Sequence, residues 1–288
     1  MKQRRRTPYA LMGPGLIWLV LFFVLPMYFM ARLSLESGTA VTGFEFSWEF
    51  SNFSDAITDN GEQFTRSFLY AGVATVLALL IAYPLAYAIA FRGGRWRNAL
   101  LLAVIAPFFI TYLIRTLAWQ TILSDQSPPV DLLRTLGIVS EGGRVLDTPA
   151  SMIAGLTYNF LPFMVLPIYA SLERVDVRLL EAANDLYASG RTAFRKVTLP
   201  LTAPGIVAGT LLTFIPAAGD YINAEFLGSP NQSMIGNVIQ SKYLNITDYP
   251  SAAALSLILM AVILVLVLVY IRFAGSEALM GEEAEPTR

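Results

Sequence analysis

Uncharged stretches long enough to cross a lipid bilayer recur along this sequence of 288 residues. They cover residues 7–31, 67–91, 148–172, 197–219 and 249–271, and one more, 98–123, is interrupted only by Arg115. A helix of about 20 apolar residues crosses the hydrocarbon core while satisfying its own backbone hydrogen bonds. The sequence therefore predicts an all-α integral membrane protein with six transmembrane helices, at about 11–33, 67–91, 98–123, 149–172, 200–226 and 250–272.

The amino-acid composition excludes most catalytic chemistry. Cys and His are absent, which removes thiol nucleophiles, disulfides, histidine bases and histidine metal sites. None of Lys2, Lys196 and Lys242 follows a glycine in the pattern of an ATP-binding P-loop. The net charge of −1 gives no indication of nucleic-acid binding. We therefore expect no catalytic residue, no metal site and no cofactor bound by this chain, so that any energy for its work comes from another subunit.

The distribution of positive charge predicts an orientation in the membrane. Residues 11–273 form the expected transmembrane domain, between tails at 1–10 and 274–288. Lys and Arg cluster in the N-terminal tail, in the 92–97 loop and between the fourth and fifth spans, whereas the loop after the first span is acidic. Because positive residues favour cytoplasmic loops, we expect both termini and the segment 173–200 in the cytoplasm.

The stretch EAANDLYASGRTAFRKVTLP, residues 181–200, is too polar to cross a membrane yet is patterned as a helix. Apolar and small side chains recur there at spacings of three and four, which places them along one helical face. They are Leu179, Ala183, Leu186, Tyr187, Gly190, Phe194 and Val197. Such a helix could rest on lipid headgroups or bind in a groove of a partner protein, and the residues alone leave both possibilities open.

The same stretch resembles the coupling loop of permeases in binding-protein-dependent ABC importers. That pattern begins with Glu-Ala-Ala and ends with Leu-Pro, and here it is matched by Glu181, Ala182, Ala183, Val197, Leu199 and Pro200. One position departs from it, because Tyr187 stands where the family has a glycine and Gly190 follows three residues later. The resemblance implies a cytoplasmic coupling helix that binds an ATPase through Glu181, Ala182, Ala183, Asp185, Leu186, Tyr187, Gly190, Leu199 and Pro200.

The resemblance extends over about residues 65–273 and implies a type I ABC importer permease fold. It is closest to the B-type permease of spermidine/putrescine importers, in LPFMVLPIYASLERVD (161–176) and FIPAAGDYINAEFLGSPNQSMIGNVIQSKYL (214–244). The partners it implies are a second permease, an ABC ATPase dimer that binds ATP and Mg, an extracytoplasmic substrate-binding protein and a polyamine, in a bacterial inner membrane. An importer for iron, sulfate or phosphonate, or a secondary transporter, remains an alternative.

Ionisable residues at membrane depth usually serve a function, and three fall within or beside the predicted spans: Arg115, Asp220 and Glu225. Counted along continuous helices, Arg115 and Asp220 reach a similar depth near the outer boundary, so they could form a structural ion pair. Alternatively, carboxylates and aromatic faces at the outer mouth could attract the ammonium groups of a polyamine. The candidates for that pathway are Trp119, Asp220, Tyr221, Asn223 and Glu225.

Overall fold

The computed structural model describes residues 7–140 and 142–274, with side chains from Met12 to Phe273. The two predicted tails lie outside these residues except for 7–10 and 274, which are helical. The chain divides into two compact units. The first comprises the described residues up to 61 together with 238–262, and the second comprises 62–237 together with the described residues from 263 onward.

The described part of the chain is mostly helical, with short 3-10 or π-helical turns between several of the helices. The helices are α1 (Thr7–Leu19), α2 (Leu25–Leu33), α3 (Ser51–Arg92), α4 (Arg97–Ile105), α5 (Tyr112–Ile122), α6 (Pro128–Thr135), α7 (Pro149–Glu173), α8 (Val177–Asp185), α9 (Gly190–Ala193), α10 (Leu199–Leu201), α11 (Ala203–Ala218), α12 (Ile222–Leu227), α13 (Ile235–Ser241) and α14 (Tyr249–Ala274).

A small β-hairpin in the first unit was not predicted from the sequence. Strands β1 (Glu36–Thr39) and β2 (Gly43–Phe46) pair antiparallel, with Glu36 opposite Phe46. Gly38 and Gly43 have φ values of +121° and +86°, which residues with a Cβ adopt only at a cost. The hairpin escaped prediction because strands of four residues carry too little alternation to be recognised beside long apolar helices.

In the second unit, α3 presents a face of small residues to the core. Its buried alanines follow one another at spacings of three and four, which aligns them along one side of the helix. They are Ala71, Ala74, Ala78, Ala82 and Ala86. They pack in two apolar clusters with buried side chains of α7, including Leu156 and Ile168. Because alanine is short, the backbones of the helices in these clusters approach closely.

Helices α7 and α11 approach each other through two glycines four residues apart. A Cβ on Gly205 would lie 2.5 Å from the carbonyl oxygen of Pro167, and one on Gly209 would lie 2.9 Å from Sδ of Met164. Small residues at this spacing let transmembrane helices pack backbone against backbone. The contact between α7 and α11 therefore depends on the absence of side chains at these two positions.

Two of the predicted spans are not continuous helices. The span predicted at 98–123 breaks where Ile110 and Thr111 are extended, after Pro107, and the segments Gly94–Phe109 and Tyr112–Ile122 are bent by 94°. The span predicted at 200–226 ends with α11, and α12 is a separate short helix that begins after Asp220. Prolines that remove a backbone donor, and Gly219 at the end of α11, favour these interruptions.

The number of membrane crossings follows from how the broken helices are counted. Among the described residues, helical segments at Met12–Leu33, Ser51–Arg92, Pro149–Glu173 and Tyr249–Phe273 are long and apolar enough to cross alone. The pairs Gly94–Phe109 with Tyr112–Ile122 and Gly190–Leu201 with Ala203–Ala218 raise the number to six if each bent pair is one span. Six crossings therefore remain a prediction that this helical arrangement accommodates.

We predict that Gly205→Val destabilises the protein, because the new side chain would push α11 away from α7. Overpacking of a tight contact costs about 1–3 kcal/mol, so the melting temperature of the purified subunit should fall by several degrees. The matched control is Gly72→Val in α3, since no heavy atom lies within 4 Å of a Cβ built on Gly72. Equal melting temperatures for the two variants would contradict the close contact of α7 and α11.

Candidate functional site

The first half of the predicted coupling loop is an exposed helix with capped ends. Asp176 accepts a hydrogen bond from the backbone N–H of Arg178 at 2.9 Å and so begins α8. Of the residues assigned to coupling, Ala183 is half-buried, and the remainder are exposed: Glu181, Ala182, Asp185, Leu186, Tyr187, Gly190, Leu199 and Pro200. The surface that the sequence assigned to an ATPase is therefore open to a partner.

The turn that ends α8 lies at Tyr187, the position of the family's glycine. The N–H of Tyr187 donates to the carbonyl of Asn184 at 2.9 Å, and that of Ala188 donates to the carbonyl of Ala183 at 3.0 Å. This pair of bonds is a Schellman motif, which places the residue at the turn in the left-handed region. Tyr187 accordingly has φ +57°, a conformation that costs a residue with a Cβ about 1–2 kcal/mol.

The second half of the loop is held against α3. The ring of Phe194 packs edge-on against Tyr83, with the centroids 5.6 Å apart, and Thr198 is buried. The hydroxyls of Tyr83 and Thr202 are hydrogen-bonded at 2.9 Å. The helical segment that contains Pro200 meets α11 at a 63° bend, so Pro200 lies just before a change of direction of the chain.

Exposed cations on this half give the loop a positive face. Arg191, Arg195 and Lys196 are exposed and, with Thr192, line a shallow pocket. In the part of the chain that the structure describes, none of the three forms an ion pair. Helix α8, by contrast, carries exposed acidic side chains. The loop therefore presents both positive and negative charges to a partner surface.

A second candidate site is a buried polar cluster where α5 and α12 begin. The hydroxyl of Tyr112 donates to Oδ2 of Asp220 and accepts from Nδ2 of Asn223 at 2.5 Å. The backbone N–H of Asn223 donates to Oδ1 of Asp220 at 2.7 Å. Both oxygens of the buried carboxylate are thus engaged, which offsets part of the cost of removing a charge from water.

The cluster continues into α7 through an amide. Nδ2 of Asn159 donates to Oδ1 of Asn223 at 3.1 Å and to the hydroxyl of Thr116 at 3.2 Å. Oδ1 of Asn159 has no hydrogen-bond partner among the described residues. The polar cluster therefore consists of Tyr112, Thr116, Asn159, Asp220 and Asn223, and it joins α5, α7 and α12.

Arg115 does not pair with Asp220, which overturns the ion-pair interpretation of these two residues. Its guanidinium lies over the rings of Phe108 and Tyr112, at 4.8 and 5.6 Å from their centroids. Arg115 is buried, and its Nε and Nη1 have no hydrogen-bond partner among the described residues. The depth argument that brought Arg115 and Asp220 together assumed continuous helices, and both helices are broken before these residues are reached.

The five predicted pathway residues do not form one open surface. Asp220 and Asn223 lie inside the polar cluster, whereas Tyr221 and Glu225 are exposed. Nδ2 of Asn237 joins the exposed pair, because it donates to the Tyr221 carbonyl at 3.0 Å and to Glu225 at 3.2 Å. The remaining member, Trp119, is half-buried and packs edge-on against another ring.

Sequence reasoning missed Tyr112, Thr116, Asn159 and Asn237. Asn159 carried a usable signal, because an amide in an otherwise apolar predicted span must find partners inside the protein. Tyr112 carried none, since tyrosine is common at membrane boundaries without such a role. No group of three or more Asp and Glu residues in the described ranges could hold a metal ion.

Comparison with known proteins places the chain among membrane components of importers. Residues 74–275 match the family described as binding-protein-dependent transport system inner membrane component. The chain is 35% identical to the spermidine/putrescine transport system permease protein PotB of Haemophilus influenzae, over 88% of this chain and 90% of that protein. It is 36% identical to the protein of the same name from Escherichia coli K12, over 88% and 93%.

A solved structure shares the fold. The crystal structure of a bacterial ABC transporter involved in the import of the acidic polysaccharide alginate contains a chain that superimposes with a TM-score of 0.70, at 21% identity, over 94% of this chain and 96% of that one. At this identity the likeness concerns the fold alone. It confirms the importer permease fold that the coupling-loop pattern predicted.

We predict that Asp220 is energetically coupled to Tyr112 and much less to Arg115. A double-mutant cycle of Tyr112→Phe with Asp220→Asn should give a coupling energy of about 1–3 kcal/mol in the free energy of unfolding, because the two groups share a buried hydrogen bond. The matched cycle combines Arg115→Gln with Asp220→Asn and should give a clearly smaller value. If the Arg115 cycle shows the larger coupling, or if Arg115→Gln rescues Asp220→Asn, the ion pair would be restored as the correct interpretation.

Proposed function

The chain belongs to the family of binding-protein-dependent transport system inner membrane components, and we propose that it is the permease subunit of an ATP-driven polyamine importer. The observation that carries this proposal is the identity of 35–36%, over 88% of the chain, to two permeases named for spermidine and putrescine. As a family member the chain is a multi-pass inner-membrane transport component. The polyamine substrate, the orientation and the particular partners belong to the proposal.

The exposed helix α8 and the lack of a P-loop both support an ATPase as a partner subunit. The exposed helix α8, with Glu181 and Ala183, is available to an ATPase dimer that binds ATP and Mg. No lysine of this sequence stands in a P-loop, so this chain itself would bind neither. A second permease would form the other half of the pathway, and an extracytoplasmic protein would deliver the substrate. Positive charge on both sides of α8 and in the N-terminal tail supports a cytoplasmic location for the loop and both termini.

The coupling loop has the form that such a machine needs. Its exposed first half can enter a groove on the ATPase. Its second half is fixed to α3 by Phe194, and the hydrogen bond between Tyr83 of α3 and Thr202 holds the start of α11 in the same place. A movement of the bound ATPase would thus be carried to α11 by packed side chains. Closure of the ATPase dimer on ATP would turn the pathway outward, and hydrolysis would reset it.

The exposed and the buried residues predicted to line the pathway would act differently on a polyamine. Glu225 and Tyr221 are exposed, so a carboxylate and an aromatic face can meet an ammonium group directly. Asp220 is occupied by Tyr112 and Asn223, and it would hold the shape of this region until a conformational change releases it. Contacts of this kind are weak individually, as passage through a membrane requires, because the substrate must also leave.

We predict that the complex assembled from this chain and the subunits encoded beside it hydrolyses ATP faster when the delivery protein carries spermidine or putrescine. The chain alone, purified in nanodiscs, should show neither hydrolysis nor uptake. Glu225→Gln should lower polyamine uptake without loss of the complex, whereas Glu45→Gln, an exposed carboxylate of the hairpin, should not. Stimulation by sulfate, phosphonate or iron in place of polyamine would contradict the assignment of polyamine as substrate. ATP hydrolysis or uptake by the isolated chain would contradict the proposal that a separate subunit is the ATPase.

We also predict that Glu181→Ala and Ala183→Trp abolish uptake by loss of the ATPase. Removing one partner of a desolvated charge pair at an interface costs about 2–5 kcal/mol, and a tryptophan at half-buried Ala183 would obstruct a close-fitting groove. Co-purification of the ATPase with each variant measures the loss, and binding of the loaded delivery protein should stay intact. Glu45→Ala is the control for a change of charge. Variants that still retain the ATPase and transport would show that α8 merely rests on lipid.

A further inference from the structure

A cavity of about 470 Å³ lies in the first unit, between the end of α2 and the β-hairpin. Its helical wall is formed by residues at positions i, i+3, i+4 and i+7, which lie on one face of a helix. Its other wall contains two rings of the hairpin strand β2 and the segment after it, which meet edge-on with centroids 4.9 Å apart. The lining residues are Tyr28, Ala31, Arg32, Leu35, Phe46 and Trp48.

Hydrogen bonds hold the hairpin against the end of α2. The carbonyl of Leu35 accepts from the backbone N–H of Ser47 at 3.4 Å and from that of Glu49 at 3.0 Å. Nδ2 of Asn52 donates to the carbonyl of Ser34 at 3.0 Å. Both walls of the cavity are therefore fixed by the fold, as is usual for pockets that bind small molecules, and its volume lies within their range of about 300–1,000 Å³.

The charged group of the cavity is Arg32, and one edge of its guanidinium is oriented by a carboxylate. Nε of Arg32 lies 3.4 Å from Oε1 of Glu36, and half of the arginine side chain is exposed. In the part of the chain that the structure describes, Arg32 forms no other ion pair. Its two Nη groups are thus free to donate as a fork, the geometry that matches the oxygens of a phosphate.

The cavity lies at the end of a helical segment that is apolar enough to cross a membrane. The most apolar stretch of that segment, Met12–Leu33, has no buried residue in the described chain. At the end of such a segment the hydrocarbon core gives way to headgroups. Tyr28 and Trp48 are exposed there, and amphipathic rings are enriched at this level, as are arginines at helix ends. Phospholipid phosphates lie at the same depth, directly beside the acyl chains.

We propose that this cavity binds a phospholipid, with its phosphate on Arg32 and one acyl chain against Phe46, Trp48 and the apolar face of α2. An apolar lining with one cation at its rim matches a ligand in which a phosphodiester is joined to hydrocarbon. The exposed rings would then be covered by the chain, and the lipid would join the hairpin to α2. The site is separate from the polar cluster and the coupling loop, and it requires neither the polyamine nor the ATPase.

A polyamine is the other ligand that a cavity with three aromatic rings suggests, and the local charge argues against it. Aromatic faces attract ammonium groups. However, the guanidinium of Arg32 is part of the lining and repels a second cation. The carboxylate of Glu36 is paired with Arg32 and largely buried, so it offers little attraction to a polyamine. An anionic headgroup meets the opposite situation.

The test measures lipid binding by native mass spectrometry on the full chain, purified with the second permease in detergent and freed of lipid. Dioleoyl phosphatidylglycerol and dioleoyl phosphatidylethanolamine should both bind, because they share the phosphodiester and the chains. Dioleoylglycerol lacks the phosphate and glycerol phosphate lacks the chains. Each should bind roughly 10-fold more weakly or worse, as expected for loss of hydrogen bonds to a charged group or of the apolar contact.

Two variants test the two parts of the site, each with a matched control. Arg32→Gln should weaken binding of phosphatidylglycerol roughly 10-fold, because it removes the charged fork. Its control is Arg144→Gln, since Arg144 is also about half exposed and pairs through Nε with Asp125 but does not line the cavity. Trp48→Ala should weaken binding by a similar factor, and its control is Trp96→Ala, an equally exposed indole elsewhere. Both controls should retain the affinity of wild type.

Several results would overturn the inference. Equal losses in the variants and in their controls would show that lipid only coats the membrane-facing surface. Tight binding of glycerol phosphate would indicate an anion site without an acyl chain, and tight binding of dioleoylglycerol would indicate a groove without a phosphate site. If the chain alone binds phosphatidylglycerol and the pair of permeases does not, the second permease occupies the cavity. Should Arg32→Gln fail to fold, the comparison of Trp48→Ala with Trp96→Ala decides the question.

Discussion

Backbone N–H and C=O groups that cannot reach water must form their hydrogen bonds within the protein. This constraint determines the structure around the helix interruptions that precede α5 and α12. Two of the helix interruptions in the second unit lie before α5 and before α12. Polar side chains gather directly after both interruptions, where Tyr112 begins α5 and Asp220 precedes α12. Asp220 accepts the N–H of Asn223 in the first turn of α12, so a buried carboxylate satisfies a helix end.

A related constraint applies to the two buried charges, because a charge removed from water also needs compensating partners. Asp220 is covered by hydrogen-bond donors, which suits an anion. Arg115 is covered by the faces of two aromatic rings, and a cation over a ring gains electrostatic attraction without needing an oxygen acceptor. Tyr112 takes part in both arrangements, because its hydroxyl donates a hydrogen bond to Asp220 and its ring faces Arg115. The helix breaks thus create a polar centre without a direct ion pair.

The coupling loop shows a division between a fixed half and an exposed half. Its fixed half is held by Phe194, by buried Thr198 and by the hydrogen bond of Thr202, and it leads directly into α11. From there, close contact with α7 depends on Gly205 and Gly209. The exposed half, α8 and Tyr187, has capped ends and no fully buried side chain. Packed contacts therefore run from the base of the loop into the core of the second unit, and the free surface is left for a partner.

The sequence by itself determined the class of the protein and predicted which segment is the coupling loop. Long uncharged stretches permit little except membrane helices. The Glu-Ala-Ala and Leu-Pro ends of the family pattern occur here at the expected spacing over twenty residues, so the segment can be recognised without knowledge of its conformation. It could not determine where helices break, because proline and glycine in membrane helices are compatible with both a kink and an interruption, and only the packing of neighbours decides between them. For that reason the pairing of Arg115 with Asp220 was wrong, and the roles of Tyr112 and Asn159 were missed. The turn at Tyr187 shows the same limit: with tyrosine in place of the family's glycine and Gly190 three residues later, the sequence left the position of the turn open, and the tertiary structure decided it through a left-handed backbone at Tyr187.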